Sequence, residues 1–373
     1  MKSNELGFEI VKPTLILDKN TVLKNIEEMA DKAKSSGVRF RPHFKTHQST
    51  EIGNWFRDFG VEAITVSSLD MAKYFTDNGW SDITVAFIAN VLEISKINSL
   101  ADKITLNLLV DSKETLSALE TKLQQRVGMW IKIDTGYHRT GISWEDFKAI
   151  RSLAHKIKDS PKTDFKGLLV HAGHSYHAKS VSEIRKIHVE TLLRLSAAKE
   201  FLETSGVEAC DTSVGDTPTC SVVDDFQGLD EIRPGNFVFY DLMQEKLGAC
   251  TEDEIAVAVA CPVVGKYKDR NQIAVYGGAV HLSTAYIVDD SGRQVFGYAT
   301  SLRNGSFGPT DLEAPVISLS QEHGMLQVDH KLFEKVKIAD LLLVFPVHSC
   351  LTSSLHSGYR TLEGKAISRL QES

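Results

Sequence analysis

The sequence has few cysteines, and their spacing forms no recognisable framework. The chain of 373 residues contains five, at positions 210, 220, 250, 261 and 350, and none is paired with another in a C-x-x-C arrangement. An odd number with wide spacings disfavours a set of disulfides or a structural zinc module. We therefore expect four of the five to be buried as small apolar residues. Cys350 is considered separately below.

Three further features are missing: a long apolar run, a basic balance of charge and a secretion signal. No stretch approaches the ~20 apolar residues that a membrane-spanning helix needs, so we expect no membrane partner. The formal net charge of -7 disfavours a nucleic-acid partner, because nucleic-acid binders present a basic face. The start, Met1–Glu5, lacks the apolar core of a secretion signal, which predicts a cytoplasmic location.

The first two thirds of the chain alternate between short β-rich runs and longer amphipathic segments, a pattern that predicts a parallel sheet. Eight such runs over about 200 residues favour a closed (β/α)8 TIM barrel over an open doubly wound sheet. The open sheet would be expected to carry a G-x-G-x-x-G turn after an early strand, and the sequence has none. The predicted barrel strands are 38–42, 62–66, 83–87, 104–110, 129–134, 166–171, 210–214 and 230–233.

The alternation of β-rich and amphipathic segments ends after about residue 245. Several β-rich runs follow with turn residues between them and little helical periodicity, which predicts a second, mostly β domain. We therefore divide the chain into a barrel domain at 1–245 and a β-rich domain at 246–373. The β-like run at 14–17 precedes the first predicted helix, and we consider it a candidate to join the second domain.

A lysine stands at the end of the first predicted barrel strand, within the segment Arg41–His47. Lys45 lies there between two histidines, at the edge where (β/α)8 barrels build their active sites. Partial burial and neighbouring imidazoles would lower the pKa of Lys45, so that the neutral amine could form a Schiff base. A phosphate-binding or salt-bridged lysine is the alternative interpretation of this segment.

Two polar motifs follow the fifth and sixth predicted strands. Asp134–Gly141 contains two glycines that permit a tight turn, and Arg139 in this loop could reach the barrel mouth or pair with Asp134. His171–His177 carries four imidazole or phenol groups within seven residues. We expect some of these groups to act in chemistry and others to be hydrogen-bonded supports.

The loops after the seventh and eighth strands have the composition of an anion cradle. Ser213–Thr219 and Arg233–Asn236 combine glycines with hydroxyl or amide groups, and in such barrels these two loops are the usual phosphate site. Ordinary turns are the alternative. A cofactor with an aldehyde and a phosphate would bridge Lys45 and this cradle, which describes pyridoxal phosphate. A Schiff-base aldolase for sugar phosphates would use the same parts.

The β-rich domain carries a candidate metal pair. His348 and Cys350 are two residues apart at the end of a predicted strand, so their side chains would face the same side. A thiolate with an imidazole favours zinc over magnesium. A buried cysteine beside a hydrogen-bonded histidine is the alternative. The nearby segment Gln321–Gly324 could supply a base or a supporting partner, or could be a turn.

Seven motifs, in this order, resemble the D-serine dehydratase and D-threonine aldolase family, which shares the alanine racemase-like fold. The resemblance covers nearly the whole chain. The motifs are R-P-H-x-K-T-H at 41–47, D-T-G-x-x-R-x-G at 134–141, G-H-S-Y at 173–176, S-x-G-x-T-P-T at 213–219, R-P-G-N at 233–236, E-H-G at 322–324 and H-S-C at 348–350.

This resemblance implies an alanine racemase-like barrel followed by a β domain, with Lys45 as the lysine that holds pyridoxal phosphate. Arg139 and Tyr176 would contact the ring of the cofactor or its oxygen, and His348 and Cys350 would bind the metal. The resemblance also implies a homodimer in which the β domain of one subunit covers the barrel of the other. The residues implied around the phosphate are Ser213, Gly215, Thr217 or Thr219, Gly235 and Asn236.

Within the family, the H-x-C pair resembles zinc-dependent D-serine and 3-hydroxyaspartate dehydratases, whereas D-threonine aldolases look more like H-x-D. We therefore predict a pyridoxal phosphate- and metal-dependent dehydratase. Its substrates would be D-3-hydroxy amino acids such as D-serine or 3-hydroxy-D-aspartate, and its products a keto acid and ammonia. The alternatives are aldolase cleavage to glycine and an aldehyde, racemisation, and a non-catalytic pyridoxal phosphate carrier.

Several points stay open at this level. Zn²⁺ is the expected ion, with Mn²⁺ or Mg²⁺ as the alternatives. Tyr276 and Val347 stand where the family pattern leads us to expect an aspartate and an asparagine, which leaves the identity of the substrate undecided. The sequence assigns no role to four further histidines, at positions 43, 47, 174 and 323.

Overall fold

The computed structural model describes residues 7–208 and 210–371. The chain forms two compact units, which we call the barrel unit and the sheet unit. The barrel unit comprises Glu27–Lys45 and Gly53–Gly235. The sheet unit comprises the described residues up to Ile26, the segment Thr46–Ile52 and the described residues from Asn236 onward.

The strands and helices are numbered here in chain order. The strands are β1 (Thr14–Leu17), β2 (Arg39–Phe40), β3 (Ile64–Val66), β4 (Asp82–Ile88), β5 (Thr105–Val110), β6 (Val127–Asp134), β7 (Ile142–Ser143), β8 (Thr163–Val170), β9 (Asp211–Val214), β10 (Glu231–Ile232), β11 (Val257–Tyr267), β12 (Gln272–Tyr276), β13 (Ile287–Val288), β14 (Gln294–Val295), β15 (Gly297–Arg303), β16 (Ser306–Leu319), β17 (His323–Gln327), β18 (Leu341–Pro346), β19 (Gly358–Thr361) and β20 (Ala366–Ser368). The helices are α1 (Lys19–Ser35), α2 (Thr50–Arg57), α3 (Leu69–Thr76), α4 (Ile94–Ala101), α5 (Lys113–Glu120), α6 (Phe147–Asp159), α7 (Val181–Thr204), α8 (Thr217–Val222), α9 (Leu242–Lys246), α10 (Ala279–Leu282), α11 (His330–Lys335) and α12 (Ser349–Ser354). Among the described residues, none of these helices combines the length and the apolar character required to cross a bilayer.

The barrel unit contains an eight-stranded parallel sheet in the order β2-β10-β9-β8-β6-β5-β4-β3. Each of the eight predicted runs overlaps one of these strands. The sheet closes between its two ends, because His43 and Thr65 form a parallel bridge. Phe44 N–H donates to Thr65 O at 2.8 Å, and Thr65 N–H donates to Pro42 O at 2.9 Å. The predicted (β/α)8 barrel is therefore confirmed.

The segment after β2 is anchored by an aromatic side chain. Phe44 is fully buried, and its ring centroid lies 5.0 Å from Phe56, 5.1 Å from Phe75 and 5.2 Å from Trp80. Such tilted and edge-on pairs add to the gain from burying the rings. Phe44 therefore fixes the backbone immediately before Lys45.

A network of charged side chains, with Arg41 and Glu231 buried and Asp82 half-buried, connects strands of the barrel unit. Arg41 Nε donates to Glu231 Oε2 at 2.8 Å, and Arg41 Nη1 donates to Asp82 Oδ1 at 2.7 Å. The hydroxyl of Ser213 donates to Glu231 Oε1 at 2.7 Å. Because Glu231 is fully buried, its charge depends on these partners for compensation.

The sheet unit is built mostly from antiparallel strands, in agreement with the predicted mostly β domain. Its sheet has the order β12-β17-β16-β15-β18-β11-β1-β19-β20, and β12 also pairs with β11. Six of these strands thus form a closed ring, which leaves them no free edge. β1 pairs antiparallel with β11 and parallel with β19. The segment Gln321–Gly324, for which a turn was one interpretation, contains the first two residues of strand β17.

The cysteines follow the expectation with one exception. All five are free, so no disulfide framework exists. Cys210, Cys220 and Cys261 are buried, whereas Cys250 and Cys350 are half-buried. The expectation of four buried cysteines is therefore wrong for Cys250.

We predict that Arg41→Ala destabilises the protein by about 3–5 kcal/mol, because the change leaves the carboxylate of Glu231 buried without its main charged partner. The measurement is urea denaturation of both variants and the unchanged protein. The control is Arg126→Ala, which removes an exposed ion pair with Asp164 and should cost about 0–1 kcal/mol. Equal losses in the two variants would contradict the assignment of this network as a stabilising core.

Candidate active site

Lys45 follows the first barrel strand, at the edge where the carboxyl ends of the parallel strands meet. Its backbone N–H donates to His43 Nδ1 at 3.3 Å. The side chain of Lys45 is exposed, so the partial burial that we expected is not provided by this chain alone. The His43 ring therefore helps to hold the backbone of Lys45 by accepting this hydrogen bond.

The half-buried side chain of His171 lies near several positively charged side chains, among them that of Lys45. His171 Nδ1 lies within hydrogen-bonding distance of the carbonyl oxygen of Gly215. Burial lowers the pKa of His171 well below its usual value, and the positive charges of Lys45, Arg139 and Lys132 lower this pKa further. His171 is therefore a neutral imidazole at a rim that carries positive charge. A rim with this charge suits an anionic ligand.

Arg139 belongs to a loop that Asp134 holds in place. Asp134 Oδ1 accepts hydrogen bonds from the backbone N–H groups of Gly136, Tyr137 and His138 at 2.9, 2.9 and 3.0 Å. These bonds contribute to a pKa of Asp134 that is lower than usual, although its partial burial acts in the opposite direction. The guanidinium of Arg139 lies 5.1 Å from the centroid of the Tyr137 ring. The loop is thus pinned by Asp134 while Arg139 is exposed.

The loops after β8 and β9 are joined by side-chain hydrogen bonds. Ser175 Oγ donates to Asp216 Oδ1 at 2.7 Å, and the backbone N–H of Thr217 donates to Tyr176 Oη at 3.2 Å. Asp216 also caps α8, because its Oδ1 accepts the N–H of Thr219 at 2.9 Å. Tyr176 therefore positions the loop that contains the predicted phosphate residues.

Gly215 permits a close approach between two rim loops. A Cβ atom at Gly215 would lie 2.8 Å from both the Cβ and the carbonyl oxygen of Arg233, which is too close for any side chain. Arg233 Nε in turn donates to Ser213 Oγ at 2.7 Å. The hydroxyl of Ser213 is therefore used inside the barrel. Among the other predicted phosphate residues of the barrel unit, Thr217, Thr219 and Gly235 are buried at this rim.

Asn236 belongs to the sheet unit, where it contacts the predicted metal pair. Its Nδ2 donates to Asp241 Oδ2 at 2.7 Å and to Ser349 Oγ at 2.9 Å. The same nitrogen lies 3.5 Å from Cys350 Sγ. The structure therefore places Asn236 beside the H-S-C motif of the sheet unit.

His348 and Cys350 flank the start of α12. His348 Nδ1 lies 3.3 Å from Asp241 Oδ2, and Cys350 Sγ lies 3.2 Å from Thr46 Oγ1. Within residues 7–208 and 210–371, no cluster of three or more His, Cys, Asp or Glu residues is arranged to hold a metal. An ion at this pair would thus keep positions open for other ligands, which is typical of catalytic rather than structural sites.

Among the histidines to which the sequence assigned no role, His47 and His323 lie in the sheet unit, as do the two departures from the family pattern, whereas His174 lies in the barrel unit. Burial lowers the pKa of His47 to about 3, and its Nδ1 accepts the N–H of Ser49 at 3.1 Å. Glu322 lies 3.8 Å from His281 Nε2, and Tyr276 packs edge-on against His281 at 5.3 Å. Three further positions complete this set: His174 stacks on Tyr137, His323 begins β17 and Val347 is fully buried.

Four residues near these sites were not selected from the sequence: Lys132, His171, Arg233 and Asp241. The first three lie within or beside motifs that the sequence does single out, so their strand-end position was an available signal. Asp241 carries no such signal, because its partner Ser349 is 108 residues away along the chain.

The chain matches two domain families. Residues 17–242 match the alanine racemase N-terminal domain, and residues 256–362 match the serine dehydratase domain. The chain is 29% identical over 374 residues to D-serine dehydratase of Dictyostelium discoideum, covering 93% of this chain and 92% of that protein. It is 24% identical over 363 residues to 3-hydroxy-D-aspartate aldolase of Paracoccus denitrificans, covering 94% and 88%.

The structure is similar to that of D-threo-3-hydroxyaspartate dehydratase from Delftia sp. HT23. The TM-score is 0.90, the identity is 26%, and 99% of each chain is covered. A cysteine-to-alanine variant of the same dehydratase, in a metal-free form, matches with a TM-score of 0.90 and 25% identity over 99% of each chain. These matches give this chain the alanine racemase-like fold of fold type III pyridoxal phosphate enzymes.

We predict that Lys132 makes stability depend on pH. Burial and the nearby charges of Arg233 and Arg139 lower the pKa of Lys132 from 10.5 to about 7. Between these two values the unfolded chain binds more protons at this residue than the folded chain, so the free energy of unfolding rises with pH, by about 1.4 kcal/mol per unit. Urea denaturation of the cofactor-free protein from pH 7 to pH 9 measures this dependence.

The comparison variant for this prediction is Lys132→Met, which keeps the side-chain volume and removes the titrating amine. Its stability should exceed that of the unchanged protein at pH 7 and should rise less with pH. Parallel pH dependences in the two proteins would show that Lys132 titrates normally.

Proposed function

Because the chain belongs to the D-serine dehydratase and D-threonine aldolase family of the alanine racemase fold, we propose that it is a pyridoxal phosphate- and metal-dependent dehydratase. Its substrates are D-3-hydroxy amino acids such as D-serine or 3-hydroxy-D-aspartate, and its products are a keto acid and ammonia. The observation that carries this proposal is that one hydrogen-bonded pair, Asn236 and Asp241, contacts both H-x-C donors: Cys350 Sγ lies 3.5 Å from Asn236 Nδ2, and His348 Nδ1 lies 3.3 Å from Asp241 Oδ2. This donor set is suited to zinc.

The residues of the barrel rim fit pyridoxal phosphate. Gly215 gives a backbone surface that no side chain could replace, and the buried hydroxyl residues Thr217 and Thr219 lie in the same loop. We assign Lys45 as the residue that holds the aldehyde carbon, with Gly215, Thr217, Thr219 and Gly235 around the phosphate. When bound, the cofactor supplies an electron sink for the negative charge at the α-carbon of an amino acid.

The amine of Lys45 is assigned two tasks. It holds the cofactor before the substrate arrives, and its Nζ then accepts the α-proton of the substrate as a general base. The positive charge of Arg139, which reaches His171 together with that of Lys45, attracts the carboxylate of the substrate. Tyr176 holds the loop at Thr217 and would contact the cofactor when it is bound.

His348 and Cys350 are assigned as the metal ligands, with zinc as the expected ion and Mn²⁺ or Mg²⁺ as alternatives. The donors fit an ion because a carboxylate lies beside the imidazole and a hydroxyl and an amide lie beside the thiol. When bound, the ion supplies Lewis acidity at the β-hydroxyl of the substrate. In the sequence, Thr46 directly follows Lys45 and Asn236 directly follows Gly235.

Aldolase cleavage to glycine and an aldehyde is the second candidate function, and the similarity to the Paracoccus aldolase supports it. We prefer dehydration because the pair is H-x-C. A homodimer and a cytoplasmic location stay predictions. An exposed Lys45 is consistent with a site that a second subunit completes.

We predict that Lys45→Ala abolishes turnover and the visible absorbance of the lysine-bound cofactor, because no other residue is assigned to hold the aldehyde. Spectra and activity of the purified variant test this. Lys166→Ala, which changes a lysine elsewhere in the barrel unit, is the matched control and should keep both. Full activity in the Lys45 variant would overturn the assignment.

We predict that D-serine, D-threonine and 3-hydroxy-D-aspartate, each assayed separately, give ammonia and a keto acid. A chelator should reduce this activity by at least about tenfold, because it removes the ion that supplies Lewis acidity. Product analysis with and without chelator, followed by addition of Zn²⁺, is the measurement. Glycine and an aldehyde as the products would establish the aldolase instead. Activity that is indifferent to the chelator would remove the metal from the proposal.

A further inference from the structure

Asp241 is a fully buried carboxylate that serves two neighbouring segments with different oxygens. Its Oδ1 caps α9 by accepting the N–H of Gln244 at 3.0 Å. Its Oδ2 accepts hydrogen bonds from Ser349 N–H at 2.8 Å and from Ser349 Oγ at 3.2 Å. Asn236 Nδ2 donates to the same Oδ2 at 2.7 Å. Oδ1 of Asp241 therefore caps α9, whereas Oδ2 accepts hydrogen bonds from Ser349 of the H-S-C motif and from Asn236.

The same Oδ2 lies 3.3 Å from His348 Nδ1, an electrostatic contact that does not have the geometry of a hydrogen bond. A carboxylate at one ring nitrogen of a histidine keeps the proton on that nitrogen, which leaves the lone pair of the other nitrogen for a metal. We propose that Asp241 is a positioning residue that fixes the tautomer and orientation of His348, so that Nε2 is the metal donor. This inference rests on the metal site in the proposed function.

Asp241 also organises the cysteine side of the pair. Its bond to the N–H of Ser349 fixes the backbone between the two ligands. Its bond with Asn236 holds an amide whose Nδ2 lies 3.5 Å from Cys350 Sγ. A single buried oxygen thus positions both donors, and Cys350 also has the hydroxyl of Thr46 at 3.2 Å.

The backbone immediately before Asp241 is strained. Tyr240 has a φ of 45°, a left-handed conformation that a bulky side chain rarely adopts. Such strain is typical of functional sites, where the surrounding structure holds it in place. A helix cap alone does not require it: Asp329 caps α11 through a 2.7 Å bond from the N–H of Leu332 with a φ of -71° and no positive φ beside it.

The experiment compares Asp241→Asn with the matched cap variant Asp329→Asn in the full-length protein with its cofactor loaded and its metal removed. The donors Ser349 N–H and Asn236 Nδ2 keep an oxygen of Asn at position 241 toward them, but the negative charge beside His348 Nδ1 is lost, so the proton is held less firmly on that nitrogen. Competition with a chromophoric chelator measures Zn²⁺ affinity without substrate. We expect a loss of about 10–100-fold in Asp241→Asn and no change in Asp329→Asn.

The outcomes separate this inference from the proposed function. If the unchanged protein binds no Zn²⁺, the metal assignment fails and this inference fails with it. If the unchanged protein and Asp241→Asn bind Zn²⁺ equally, the proposed function stands and the role of Asp241 is overturned. Circular dichroism and thermal melting of the metal-free proteins show whether each variant folds.

A second measurement does not depend on whether Asp241→Asn folds. ¹⁵N NMR of the histidine-labelled, metal-free protein, with His348 assigned by comparison with His348→Gln, reports which ring nitrogen carries the proton. We expect the proton of His348 on Nδ1. A proton found only on Nε2 would overturn the inference even if Asp241→Asn cannot be purified.

Discussion

The position of Lys45 depends on a backbone that is hydrogen-bonded on both sides. Arg41 N–H donates to Ile232 O at 3.0 Å and His43 N–H donates to Pro234 O at 2.8 Å, while Phe44 N–H donates to Thr65 O on the opposite side. The strand β2 itself has only two residues, so these bonds and the buried ring of Phe44 replace the long ladder that holds most strands. An exposed amine can therefore be presented from a fixed backbone.

In both candidate sites, buried polar groups hold the backbone that carries the proposed ligand-binding residues. In the barrel unit, neutral His171 and buried Asp216 fix the loops that carry Gly215 and Thr217. In the sheet unit, Asp241 plays the corresponding part for His348 and Cys350. The cost of burying each carboxylate is offset by several donors.

The sequence predicts the barrel well because strand and helix periods are local properties, and it predicts Lys45 as a candidate because the lysine stands at a strand end. It does not predict the partners of that strand: Arg41 and Glu231 are 190 residues apart. The hydroxyl of Ser213 looked like part of an anion cradle, but its direction depends on Glu231 and Arg233. Asp241 was missed because its role exists only once the chain has folded.

The central claim is that the amine at position 45 holds the aldehyde of pyridoxal phosphate. Borohydride reduction of the cofactor-loaded protein fixes the cofactor to the amine that carries it, and peptide mass spectrometry then identifies that lysine. The account predicts that the added mass lies on the peptide that contains Lys45 and on that residue within it. The added mass on another lysine, such as the buried Lys132, would contradict the account.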